Sequence, residues 1–167
     1  VKDYQWLEWH IGELNVTIEN LTEEWGGLLL TGPEARNILS QCTQEDLNNN
    51  AFSWLSCKTI KIDSADVFAM RVSYAGELGW ELHMPSWQVI SIYESLFEMG
   101  SPLGLKDFGG QAFNSMRLEK MYRAYGAEFT EEISALEAGM ERFLDLNRDF
   151  IGADNIRERM SSGIKTK

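Results

Sequence analysis

The sequence predicts an α+β domain, an antiparallel sheet with helices on one face, from three observations. Three segments rich in β-branched and aromatic residues, SWLSCKTIKI, ADVFAMRVSY and GWELHMP, follow one another between residues 53 and 85 across short turns, the pattern of a meander. PSWQVISIYESLFEMG (85–100) is amphipathic and closes on Gly100, a residue that ends helices readily. The order strand, strand, helix, several strands, helices segregates the two element types, as in a ferredoxin-like sandwich whose second sheet face is free.

From the start of the chain, DYQWLEWHIGEL (3–14) places Tyr4, Leu7, Ile11 and Leu14 at helical spacing, with Trp6 and Trp9 read as packing groups. NVTIENLT (15–22) reads as a strand and WGGLLLTG (25–32) as a second, buried one. GPEARNILSQC (32–42) is a short helix with Pro33 at a first-turn position and Ile38 and Leu39 facing in. CTQEDLNNNAF (42–52), with its three consecutive asparagines, is turn material. After the helix at 85–100, KDFGGQAFNSMRLEKMYRAYG (106–126) reads as another helix, closed by Gly126. The stretch from 132 to 160 reads as a turn, a strand and a short helix, with no internal repeat and no linker before about residue 161.

With 167 residues, including six tryptophans and eight phenylalanines, the chain is long enough for one sizeable core. A chain of this size buries roughly 70% of its unfolded surface. The net charge of −11 is spread along the sequence without a basic stripe, which argues against nucleic acid as a partner. An RNA-binding sheet also lacks its clustered pair of aromatics on the polar strand face. Cys42 and Cys57 have no Cys-x-x-Cys spacing and only His10 and His83 could join them, so no metal is expected. Both thiols read as buried groups in a reducing compartment. No apolar run approaches the ~20 residues of a membrane span, and no signal segment opens the sequence. The opening at Val1 without methionine, and the alternating GIKTK that reads as the start of a strand, predict a piece of a longer protein.

The hairpin RVSYAGELGWELHMP (71–85) raises the functional question. Strand alternation groups Phe68, Met70, Val72 and Tyr74 with Trp80, Leu82 and Met84 as an apolar face. Arg71, Ser73, Glu81 and His83 then form the polar face. Gly76 and Gly79 fit a turn needing unusual backbone angles or close approach, and Glu77 within it reads as solvated. Glu81 either pairs across the strands with Arg71, worth roughly 0.2–1 kcal/mol, or is held for a ligand.

Y-x-G-E-x-G-x-E at 74–81 resembles the hairpin of the glycine-cleavage T-protein, the aminomethyltransferase family, in the version appended to dimethylglycine and sarcosine dehydrogenases. NSMRLEKMYRAYG (114–126), ISALEAGMERF (133–143) and RDFIGADNI (148–156) extend the resemblance in the family's order over nearly the whole chain. The resemblance implies a T-protein-like fold that binds tetrahydrofolate as acceptor of a one-carbon unit. Glu81 is then the group that receives the pterin's amino and ring N–H donors together. Tyr74 and Tyr125 match positions near the ligand, where rings sandwich or line it; core packing is the alternative for each. Arg117 and Glu119, two apart on a helix, cannot face the same way. Both read as mainly structural, with Arg117 the better outside candidate for a ligand carboxylate.

The resemblance is incomplete in ways that matter. The family's Gly-Gly stretch and its aspartate lie upstream of this hairpin and are not in the chain. Phe113 stands where classical T-proteins have arginine, and Ser134-Ala135 where they often have Thr-Pro. Residues 1–160 are therefore expected to be the central part of the folate domain, with 161–167 beginning a C-terminal segment. The implied activity, transfer of a one-carbon unit from a small N-methylated amine to tetrahydrofolate, belongs to the parent protein; the chain alone is expected to be inactive. FAD would sit in a domain outside this chain, and the implied compartment is the cytoplasm or the mitochondrial matrix. The rival expectation is a non-catalytic regulatory or interaction module on the same fold.

Overall fold

The structure, a computed structural model, describes residues 2–163. The strand expected from GIKTK falls, beyond Gly163, outside the described residues. The chain forms two compact units, Val1–Phe108 and Gly109–Lys167.

The first unit contains helix α1 (Lys2–His10), strand β1 (Trp25–Thr31), helix α2 (Ala35–Cys42), strands β2 (Cys57–Ile62), β3 (Ala65–Met70) and β4 (Gly79–Pro85), and helix α3 (Val89–Gly100). Its four strands make one antiparallel sheet in the order β1-β4-β3-β2, the architecture expected. The helices α2 and α3 pack together on one face, burying Ile38, Leu39, Ile92 and Leu96 against Trp80, Leu82 and Met84 of β4. Val67 and Ala69 of β3 and Ile60 and Ile62 of β2 complete this core. Each such large side chain, removed from water, stabilises by roughly 1.5–3 kcal/mol. The asparagine-rich connection is a loop, yet it plugs the core with Leu47 and with Phe52, whose ring meets Trp80 edge-on at 6.1 Å.

Several expectations fail locally, for identifiable reasons. NVTIENLT forms no strand; the Asn20 carboxamide oxygen accepts from the backbone N–H and hydroxyl of Thr22, a local turn that wins where no neighbouring strand offers a ladder. Helix α1 ends at His10 rather than reaching Leu14, and it buries none of its residues. Strand β2 starts only at Cys57 because Leu55 takes a left-handed backbone (φ 61°). Cys57 is exposed on this edge strand, not buried. Cys42 is half-buried, and burial, with Asp63 and Glu98 nearby, pushes its thiol up to about 11.

In the second unit, helix α4 (Gly110–Glu119) stops seven residues before Gly126. The chain leaves the helix at Met121, whose left-handed backbone (φ 59°) lets the Tyr122 N–H donate to the Arg117 carbonyl at 2.9 Å. The buried Arg117 guanidinium holds this reversal by donating to the Tyr122 carbonyl at 2.8 Å. The strand expected between 132 and 160 is absent. Ser134 and Glu137 bond reciprocally, backbone and side chain, into a tight turn, and a single 3-10 turn (Glu141–Phe143) follows. Helix α5 (Ala153–Ser162) forms as expected.

Candidate functional site

The face of the sheet opposite α2 and α3 carries the candidate site. Antiparallel register places directly opposed residues on one face. Glu81 lies between Leu29 of β1 and Met70 of β3, and His83 between Gly27 and Phe68. Trp80, Leu82 and Met84 point the other way, into the core, as the alternation of β4 predicts. Val72, expected in the core, is half-buried in the loop after β3.

The phase of β3 corrects the expected faces. Phe68 and Met70 share the open face with His83 and Glu81, while Val67 and Ala69 pack inward. Four consecutive apolar residues, 67–70, make either phase plausible in sequence, and the small Ala69 fits beneath the helices where Phe68 or Met70 would not. Arg71 follows Ala69 in phase and turns to the core side. It donates to the Phe52 carbonyl at 2.6 Å and to Asn49 Oδ1 at 2.9 Å. The expected Glu81–Arg71 pair therefore does not exist.

Glu81 instead sits near His83, with Oε2 and Nε2 3.4 Å apart, an ion pair only when the imidazole is protonated. The two side chains are 39% and 38% exposed, so Glu81 is neither solvated freely nor locked into a network. Gly27 makes room for the imidazole: a methyl group there would come within 3.3 Å of His83 Nδ1.

The link from β3 to β4 is a loop, 71–78, rather than a tight hairpin turn. Its two glycines have separate roles. Gly76 takes φ 75°, and Gly79 admits β1 so closely that a Cβ would lie 2.6 Å from the Leu30 carbonyl oxygen. Ser73 meets the Thr31 hydroxyl at 3.1 Å, and the Gly32 N–H donates to the Leu78 carbonyl, so the loop is tied to the end of β1. Tyr74 is partly exposed in this loop, and Glu77 is half-buried rather than solvated. Tyr125 belongs to the second unit, exposed, with its ring edge-on to Phe129 at 5.8 Å.

Arg117 is 4% exposed and fully engaged within its own unit. It bonds Asn114, the Tyr122 carbonyl and both oxygens of Glu128, the nearest at 2.7 Å, which leaves it no fork for a ligand carboxylate. The hydrogen bonds from Arg117, and then from the Ala124 N–H, hold Glu128 down to about 2. Sequence reading missed Leu29, Gly27, Phe68 and Met70 as neighbours of Glu81 and His83. The Gly-Gly pair inside an apolar strand was the available signal, since glycine there marks close approach.

Residues 1–148 match the model of the GCVT N-terminal domain. The chain is 38% identical over 169 residues to mitochondrial dimethylglycine dehydrogenase of Homo sapiens, covering 99% of this chain and 20% of that protein. It is 35% identical over 167 residues to the aminomethyltransferase of Thermoanaerobacter sp. (strain X514), covering 99% and 45%. With mitochondrial sarcosine dehydrogenase of Homo sapiens it shares 32% over 148 residues, 87% of this chain and 16% of that protein. The chain thus spans less than half the length of these relatives. Heterotetrameric sarcosine oxidase from Corynebacterium sp. U-96, solved in complex with pyrrole 2-carboxylate, shares the fold with a TM-score of 0.53 at 19% identity, over 64% of this chain and 53% of that one. The matched residues take in the whole sheet, the 71–78 loop, α4 and the Arg117 turn, and the chain belongs to the GCVT N-terminal domain family, as a domain like those of aminomethyltransferases and dimethylglycine dehydrogenases.

Proposed function

We propose that the chain is the tetrahydrofolate-binding part of an enzyme resembling dimethylglycine and sarcosine dehydrogenases, which passes a one-carbon unit from a small N-methylated amine to tetrahydrofolate. The observation that carries this reading is Glu81: a half-exposed carboxylate on an open sheet face, flanked by Leu29 and Met70 and not neutralised by Arg71. Its two oxygens suit the paired N–H donors of a pterin edge, and the apolar neighbours suit the flat ring beside them. Tyr74, on the loop before β4, would supply an aromatic contact, and Tyr125 stays a candidate through the family resemblance alone. Tetrahydrofolate, when bound, is the one-carbon acceptor. This chain's residues bind and orient it, and amine oxidation and FAD belong to a domain beyond this chain. Residues 1–160 are then the central part of the folate domain and 161–167 the beginning of the next segment, in the cytoplasm or the mitochondrial matrix.

The test is calorimetric titration of folate into the parent protein and its Glu81→Gln variant. Gln presents an amide N–H₂ toward the pterin's donors and loses the charge, so affinity should fall about ten- to a hundredfold, roughly 1.5–3 kcal/mol. Equal affinities would remove Glu81 from the site. The purified chain, which lacks the family's aspartate, should not transfer formaldehyde to tetrahydrofolate above the uncatalysed rate; turnover would show that another group has taken that role. One observation favours the rival interaction module: α1 buries nothing and leaves Trp9 77% exposed. A parent protein that binds no folate, yet loses a partner on Trp9→Ala, would establish that reading instead.

A further inference from the structure

On the opposite side of the sheet from Glu81, two arginines meet without a counter-charge. Arg36, in the first turn of α2, and Arg71, just past β3, both donate through Nη2 to the same acceptor, Asn49 Oδ1, at 2.8 and 2.9 Å. Their guanidinium carbons lie 5.9 and 5.8 Å from the centre of the Trp80 ring. Three donors gathered around that ring, Arg36 Nε, Arg71 Nε and Trp80 Nε1, are buried and have no acceptor among the described residues.

No carboxylate among the described residues pairs with either arginine. The sequence has 26 acids against 15 lysines and arginines, so the missing partner is not for want of acids. Buried donors are ordinarily satisfied, and two neighbouring guanidinium groups repel unless an anion lies near them. Burial, and then the Arg36 charge, lower Arg71 from its ordinary value, the direction a bound anion would reverse.

We propose that Arg36, Arg71 and Trp80 form a binding site for a compact oxyanion, a phosphate or carboxylate group. The planar forks of two arginines match the oxygens of such a group, and the Trp80 ring lies beneath both guanidinium groups. The Asn49 contact lies at the exposed end of the pair, where a ligand would enter. A water molecule could answer one orphan donor but not the paired charges.

The test measures thermal unfolding and calorimetric binding of the full chain with inorganic phosphate and, separately, glutarate, against chloride at matched ionic strength. The site predicts a saturable rise in melting temperature with at least one of the two anions, as expected for a ligand of the native state. Phosphate alone would identify a phosphate-bearing ligand, and glutarate alone a carboxylate. Arg36→Gln should weaken the binding about tenfold or more, and Arg71→Gln likewise. Arg71 also holds the Phe52 carbonyl. If that variant does not fold, Arg36→Gln decides, because the Arg36 side chain hydrogen-bonds only Asn49 among the described residues. No saturable effect, or equal affinity in Arg36→Gln, would overturn the proposal and leave the donors to water.

Discussion

In Val1–Phe108, carbon packs against carbon. Trp80, Leu82 and Met84 of one strand are wholly buried among side chains from two helices, three other strands and a loop. In Gly109–Lys167 the organising residue is an arginine, and Leu136, Ala138 and Ala153 are the only buried hydrophobic side chains among the described residues. Arg117 gathers Asn114, Tyr122 and Glu128, and Glu128 in turn accepts from the Ala124 N–H. The first arrangement is vulnerable to a cavity and indifferent to acid. The second is vulnerable to acid and to the loss of one donor, because its stability resides in a few directional bonds.

The contrast breaks most forcefully in the apolar core. Trp80→Ala should destabilise the first unit by about 3–5 kcal/mol through lost burial and the cavity left behind, read as a lower urea midpoint. A loss under ~1 kcal/mol would mean that the helices collapse onto the gap. Arg117→Met should cost about 1–3 kcal/mol, chiefly through the Tyr122 carbonyl and Asn114 left without their donor. Hydrogen exchange should show the loss confined to residues beyond 109. Equal loss of protection in β3 and β4 would show that the two units do not stand on separate chemistry.

The smallest effect is the most specific. Glu128 titrates at about 2 in the folded chain, below the ordinary carboxylate range near 4.3. A depressed carboxylate contributes stability that is fully present above its unfolded value and disappears as pH falls through its folded value. The difference in stability between the native chain and Glu128→Gln should therefore be constant above about pH 4.5 and shrink between there and about pH 2. A difference that does not change over this window would show the carboxylate to be unpaired in solution.

Strand β4 was legible because its alternation is strict: Trp80, Leu82 and Met84 against Glu81 and His83. The helices α2 and α3 were legible from their apolar faces and from the residues at their ends. The phase of β3 was not, since residues 67–70 are apolar on both faces. The fate of Arg71 followed from that phase, and with it went the only partner the sequence offered for Glu81. Beyond residue 120, structure is set by side-chain-to-backbone bonds such as Arg117 to the Tyr122 carbonyl, which leave no periodic trace. Position on the open face could be read for Glu81; its neighbours Leu29, Gly27 and Met70 depended on a register that only pairing defines.

The sheet order leaves β1 and β2 at the two rims, and the rims are unlike. Strand β2, CKTIKI, carries Lys58 and Lys61, and charged side chains of this kind deter a foreign strand from docking edge to edge. Strand β1, WGGLLLT, has no charge at all along its length. Its edge therefore carries no charged side chain of its own to deter a foreign strand. One rim thus carries charges against edge-to-edge docking and the other does not, and a lysine introduced at an exposed β1 position is the direct way to make the two rims alike.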